Sequence, residues 1–260
     1  MRKTIYSKAD THMHTTYSDG AATPAEMVEH VVAHTDLKVI AVTDHDTAEG
    51  ALIARRYVRE AGIPLEVIIG QEVTTDEGDV VGLFLRETLP AFRTAAQAVQ
   101  AIHSQGGLAI AVHPFSRWIT LGNMTGVGQR LAVLPLDGVE IRNGFPTNWG
   151  GNAYARWFNR RTVGHAELGG SDSHVPFTIG QAHTLFPGET AADFRRAVVA
   201  RTTIAAGPLW TPASLVQLVP ALARHGFPSR VKEPAYEAAS SRDQHGQSLA
   251  VEGSERRLTV

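Results

Sequence analysis

Imidazoles and carboxylates stand at the ends of successive apolar runs in this 260-residue chain: His12-Met13-His14, Asp44-His45-Asp46, Glu72, His113-Pro114 and Asp172-Ser173-His174. In an extended segment side chains alternate faces, so His12 and His14 project to one side with Cα atoms about 7 Å apart, within joint reach of one cation. An isolated His-x-His is as easily a chance pair on a solvated strand; recurrence of the same donor types at later strand ends favours a metal. The chain has no cysteine, which excludes disulfides and thiolate sites and leaves His, Asp and Glu as the strong ligands. Such a donor set suits zinc, manganese or iron rather than calcium or a lone magnesium. Two or three such ions, about 3.5–4 Å apart, can hold an attacking hydroxide between them and neutralise phosphoryl oxygens. Bridging needs a carboxylate, and Glu72 is the natural candidate.

The elements that must position these groups are legible from capping and periodicity. Thr23-Pro24-Ala25-Glu26 is a capping box with proline at the first helical position, so a helix spans 24–34. Residues 37–43 and 65–70 read as buried parallel strands, 79–85 as an extra strand, and 108–112, 138–142, 165–169 and 182–186 as further strands, with 203–206 as one more short one. Thr47, Thr94 and Thr190 open helices between them, and 152–162 is another helix. The long Gly-containing loop 116–135 is a candidate lid or substrate loop. Thr211-Pro212 starts a last helix ending near Gly226. Beyond about residue 228 apolar periodicity disappears, so residues 1–227 are expected to form one barrel domain and 228–260 a flexible tail.

Strands alternating with helices, seven or so units, fit a closed barrel better than an open doubly wound sheet. The polar residues lie at the C-terminal ends of nearly every strand, where barrel active sites are assembled, and no Gly-x-Gly-x-x-Gly fingerprint is present. The formal net charge of −2 gives no long-range pull toward nucleic acid or an anionic membrane. No run approaches the roughly 20 apolar residues of a membrane span, and the expected address is the cytoplasm.

Taken together, His12-x-His14 with Asp19, Thr43-Asp44-His45-Asp46, Gly70-Gln71-Glu72, His113-Pro114 and Gly170-Ser171-Asp172-Ser173-His174 resemble, in order and over about residues 8–206, the PHP (polymerase and histidinol phosphatase) family of metal-dependent phosphoesterases. The resemblance implies an α/β fold, a distorted (β/α)7 barrel in a single domain, with two or three divalent ions (Mn, Zn or Fe). By matching position His12, His14, Glu72 and Asp172 would bind the first ion, Glu72 and His113 the second, and Asp19, His45 and His174 the third. Asp44 would orient an imidazole from behind. Many relatives supply a further His or Cys to the second ion from the strand after the His-Pro motif; Pro114 to Gly164 contains neither, and Glu140 is the well-placed substitute.

Each of these residues also has a plainer reading: Asp19 as a turn residue in Ser18-Asp19-Gly20, His113 as a strand-end histidine, Asp172 as a helix cap. Arg117 is either a surface cation or a fork for substrate phosphate, and Arg142 and Asn143, at a strand end, are weaker candidates for substrate contact. His30, His34, His103 and His225 fall in helices and read as structural or solvated; His165 and His183 are minor candidates for a proton donor.

The expected activity is hydrolysis of a small phosphomonoester or nucleotide through a metal-bridged hydroxide, with Glu72, Asp172 and Arg117 as the catalytic set. A nuclease or phosphodiesterase acting on nucleic-acid ends ranks below it, because the arginines are scattered rather than grouped in a groove. A non-catalytic regulatory module of the same family is the third alternative. Substrate identity and oligomeric state are not encoded in any motif.

Overall fold

The computed structural model describes residues 5–116 and 126–208. Arg117, residues 117–125 of the expected lid loop, the last helix and the tail after 227 lie outside the described residues.

The chain alternates strand and helix as its periodicity requires: β1 (Tyr6–Asp10), α1 (Pro24–His34), β2 (Val39–Val42), α2 (Glu49–Ala61), β3 (Glu66–Val73), β4 (Val80–Leu83), α3 (Ala95–Ser104), β5 (Leu108–Ala111), β6 (Gly138–Asn143), α4 (Trp149–Phe158), β7 (Ala166–Gly170), β8 (His183–Pro187), α5 (Ala191–Val199) and β9 (Ile204–Ala206). Capping boxes at Thr23/Glu26, Thr94/Gln97 and Thr190/Asp193 fix three helix starts, each hydroxyl and carboxylate or amide satisfying a first-turn N–H. Thr47 does not cap α2 directly. Its hydroxyl accepts from Glu49 N at 3.2 Å and the Ala48 N–H goes to Thr88 Oγ1 at 3.0 Å, so Ala48 takes the cap position. α4 begins three residues earlier than its periodicity suggests and ends in a π-helical turn, Asn159–Val163.

The nine strands form one mixed sheet in the order β7-β6-β5-β4-β3-β2-β1-β8-β9. β1, β2 and β3 run parallel, as do β5, β6 and β7; β4 lies antiparallel between the two groups, and β8 is antiparallel to β1. The antiparallel β4 follows from a short turn, in which Gly78 at φ +122 returns the chain directly from β3 instead of through a crossover helix. This is the distortion expected of the barrel: the sheet curls until its β7 end approaches β8 and β1.

Two devices close that seam. Thr184 Oγ1 accepts from Gly169 N and donates to Gly169 O, both at 2.9 Å, replacing ladder bonds with one buried hydroxyl. Beyond the ends of β1 and β7 a parallel bridge joins Met13 to Ser173, with His14 N donating to Ser173 O at 2.9 Å and Asp172 N to His12 O at 2.8 Å. The core is layered accordingly. Ala9, Val39, Ala41, Ile68, Val81, Leu83, Ile110 and Leu168 belong to one buried apolar cluster, while Ile40, Val42, Ile69, Val139 and Ile141 pack in another with residues of α1, α2 and α3. That alternation sends strand-end polar groups to one rim.

Candidate metal centre

The two ends of the seam carry the first half of the site. Because His12 and His14 flank Met13, which is fully buried and paired with Ser173, both imidazoles turn to the rim, where Asp172 and His174 arrive from the other strand. β3 delivers Glu72, and a parallel bridge between His45 and Glu72 brings the segment after β2 alongside. His113 follows β5. His113 and Asp172 both adopt left-handed backbone, at φ +31 and +52, which is uncommon for residues with a Cβ and is found where a site dictates geometry.

Glu72 sits at the centre, 1% exposed. Its Oε1 lies 3.0 Å from His113 Nε2; its Oε2 lies 3.3 Å from His12 Nε2, 3.4 Å from His14 Nε2 and 3.2 Å from His45 Nδ1. Asp172 Oδ1 is 3.5 Å from His12 Nε2 and 3.4 Å from His14 Nε2, and Asp19 Oδ2 is 3.3 Å from His174 Nε2 and 3.6 Å from His45 Nε2. Among the described residues these side chains fall into three groups able to hold a metal ion: His12, His14 and Asp172; His12, Glu72 and His113; and His14, Asp19, His45 and His174. Eight residues named from the sequence therefore meet at one rim, with His12 and His14 each shared between two groups.

The electrostatics are those of a cation site. Burial alone would raise the Glu72, Asp172 and Asp19 carboxyls, yet the surrounding imidazoles hold all three below the usual carboxylate range. Burial alone would lower His12 and His174, but Asp172, Glu140 and Glu72 raise the first well above its ordinary value, and Asp19 and Asp172 raise the second to about 9. The fit to a metal rests on His14. Its ring is 1% exposed and, among the described residues, neither nitrogen makes a hydrogen bond of good geometry, the nearest acceptors being the carboxylates of Asp19, Glu72 and Asp172 at 3.4–3.5 Å, an arrangement that costs desolvation energy unless a ligand satisfies it. These residues fit a divalent ion: one held by His14 and the flanking carboxylates would meet that demand, and an all-N/O donor set is of the kind that takes zinc, manganese or iron.

Other residues named from the sequence are placed differently. Asp44 turns to the loop between His14 and Asp19: Oδ1 accepts from Thr15 N at 2.7 Å and Ser18 Oγ at 2.8 Å, and Oδ2 from Thr15 Oγ1 at 2.7 Å. It positions Asp19 through that loop instead of orienting an imidazole. Glu140 belongs to none of the three groups; it lies behind His12, with Oε1 3.2 Å from His12 Nδ1. Arg142 points away from the rim, its Nη1 donating to Gly207 O at 2.6 Å. A bulge in β6 explains this. Glu140 pairs with Leu168 but Arg142 with the next residue, Gly169, so the strand gains a residue and the alternation shifts. Asn143 takes the inward place but is fully buried, its Nδ2 donating to Glu140 Oε2 at 2.8 Å and to Asp172 Oδ2 at 3.1 Å. It ties Glu140 to Asp172 and presents no exposed surface.

Sequence reading missed Asn148 and Asn152. Asn148 Nδ2 donates to Asn143 Oδ1 at 2.6 Å, and the Asn152 amide exchanges two 2.9 Å bonds with the Asn143 backbone. Their only signal was three asparagines crowded between a strand and a helix, a pattern equally typical of a loop.

The family model described as PHP domain matches residues 10–124, and one described as PHP-associated matches residues 155–203. An uncharacterised protein of Methanocaldococcus jannaschii is 36% identical over 149 residues, 53% of this chain and 82% of that protein. A 5'-3' exoribonuclease of Haemophilus influenzae is 36% identical over 107 residues, 40% of this chain and 38% of the enzyme, so the chain spans well under half of that relative. Among solved structures, "a two-domain protein containing predicted PHP-like metal-dependent phosphoesterase" from Bacteroides vulgatus superposes with a TM-score of 0.63 at 19% identity, covering 84% of this chain and 70% of that one; it supports the barrel fold.

Proposed function

This chain belongs to the PHP domain family of metal-dependent phosphoesterases, and within that family we propose that it hydrolyses a small phosphomonoester or nucleotide at a centre of two or three divalent ions (Mn, Zn or Fe). The observation that carries the reading is the buried His14 imidazole, which among the described residues makes no hydrogen bond at either nitrogen and is ringed by the carboxylates of Glu72, Asp172 and Asp19 at 3.4–3.5 Å. His12, His14, Glu72 and Asp172 would hold the first ion, Glu72 and His113 the second, and Asp19, His45 and His174 the third. Bound ions would supply Lewis acidity toward phosphoryl oxygens and would acidify water at neutral pH.

The chain's own residues do the remaining work. Glu72, with an oxygen toward each side of the cluster, joins the first two groups. His174 donates Nδ1–H to the Asp172 carbonyl at 3.0 Å, which turns its other nitrogen to Asp19. Asn143 occupies the outer oxygen of Asp172 and leaves Oδ1 facing His12 and His14. Phe145 stands edge-on to His174 with ring centroids 6.1 Å apart. Arg117, four residues after His113, is our candidate for neutralising a substrate phosphate.

A second reading is removal of nucleotides from nucleic-acid ends, which the exoribonuclease relative favours. The net charge of −2 favours the smaller substrate. Phosphate release from nucleoside monophosphates, compared with nucleotide release from a 5'-phosphorylated RNA oligomer under the same manganese concentration, separates them. Preference for the monophosphate supports the proposal, and preference for the oligomer replaces it with the second reading.

A further inference from the structure

Glu140 and His12 face each other across a gap left by a glycine. A Cβ on Gly170 would lie 2.3 Å from Glu140 Oε1 and 2.6 Å from His12 Cβ, so only glycine at the end of β7 lets this carboxylate stand behind this imidazole. Both partners are almost fully buried, at 2% and 1% exposure. Glu140 is thus sealed on a site residue, and each of its oxygens is engaged.

We propose that Glu140 is a positioning residue that fixes the His12 tautomer, holding a proton on Nδ1 so that Nε2 offers its lone pair to the ion. The inference rests on the metal-centre reading above and extends it to a residue in none of the three ligand groups. Its logic is a count of donors. Glu140 Oε2 accepts from His113 N at 2.9 Å and from Asn143 Nδ2 at 2.8 Å. The first donor is backbone and cannot reverse. The second is locked, because Asn143 Oδ1 accepts from Phe145 N at 2.9 Å and Asn148 Nδ2 at 2.6 Å, so a flipped amide would lose both bonds. With Oε2 committed to two donors, Oε1 is the oxygen left to accept from His12 Nδ1. The proton on Nδ1 then leaves Nε2 as the nitrogen for the ion; in the metal-free structure Nε2 is hydrogen-bonded to Glu72 Oε2 at 3.3 Å and lies 3.5 Å from Asp172 Oδ1, inside the cluster. One asparagine relay, running from Asn152 and Asn148 through Asn143, holds both Glu140 behind His12 and Asp172 in front of it.

The relay makes an unusual prediction for Glu140→Gln. The two fixed donors draw the amide oxygen to the Oε2 place, which leaves the amide NH2 facing His12 Nδ1. His12 must then accept at Nδ1 and carry its proton on Nε2, where it blocks the ion. Glu140→Ala removes the constraint without reversing it, and His12 can still choose the ligating tautomer. Glu140→Gln should therefore weaken metal binding about 10–100-fold, the range for loss of a partner behind a ligating histidine, and should weaken it more than Glu140→Ala. A ligand role predicts losses of similar size in both variants, and a packing role predicts that alanine is the worse.

Two measurements test this without reference to turnover: metal affinity of wild type, Glu140→Gln and Glu140→Ala by competition with a chelator, and the histidine 1H–15N spectrum of zinc-loaded wild type, with His12 assigned by its loss in His12→Asn. The expected result is glutamine below alanine below wild type in affinity, and a His12 ring protonated at Nδ1. A His12 protonated at Nε2, an alanine variant weaker than glutamine, or a glutamine variant that binds like wild type overturns the inference. The spectrum decides if either variant fails to fold. If phosphoester hydrolysis is absent while the affinity order and tautomer hold, the functional reading falls and the positioning role stands.

Discussion

Asp44 grips Thr15 by two hydrogen bonds of 2.7 Å, one to its backbone N–H and one to its hydroxyl. With Ser18 Oγ as a third donor, this clamps the loop that carries Asp19 across from His45 and His174. Asp44→Ala should free the loop and empty the group that depends on Asp19, while His12, His14, Glu72, His113 and Asp172 keep their places. Metal analysis of manganese-equilibrated protein should show about one ion fewer than wild type. An unchanged ratio would mean that Asp19 needs no clamp.

The seam between β7 and β8 offers a stability test remote from the ligands. Thr184→Val keeps the shape of the side chain but leaves Gly169 N and O, now buried, without the hydroxyl that serves both. Orphaned buried groups of this kind cost about 1–3 kcal/mol, and each kcal/mol lowers Tm by roughly 2–4 °C in a domain of this size. Calorimetry should find a drop of that order with metal content intact; an unchanged Tm would show that water replaces the hydroxyl.

Protons and metal ions compete for the same imidazoles. Burial alone would lower His174, but Asp19 and Asp172 raise it to about 9, so in the metal-free protein it holds a proton at neutral pH. Ligation needs the neutral ring, hence affinity at the Asp19 group should climb as pH rises toward 9, with protons released on binding. Isothermal titration in buffers of different ionisation enthalpy measures that release. A binding constant flat from pH 6 to 9 would contradict the role given to His174.

The ends of strands were the legible part of this molecule. Short apolar runs placed β2, β3, β5, β6 and β7 to within a few residues, and the donors at their ends converge as alternation requires. What stayed hidden depends on local breaks in that alternation. Glu140 and Arg142 are two apart and should share a face; the β6 bulge turns Arg142 to Gly207 and sends Asn143 inward instead. Glu140 itself was legible as a carboxylate at the right depth, but its approach to His12 depends on the missing side chain at Gly170, 30 residues away. Asp44 was recognisable as a supporting residue, though its partners proved to be the loop after His14, whose hydroxyls Thr15 and Ser18 are unremarkable in sequence.

Metal-dependent phosphoester hydrolysis at the rim is the central expectation for this chain. Chelator-stripped protein titrated with Mn2+, with phosphate release from a nucleoside monophosphate followed at each addition, measures this directly. The expected result is no release without metal, recovery that saturates at two to three equivalents, and no recovery in the His12→Ala/His14→Ala double variant, which loses two ligands of the first ion at once. Release undiminished by the chelator, or a double variant that binds Mn2+ and turns over like wild type, would contradict it.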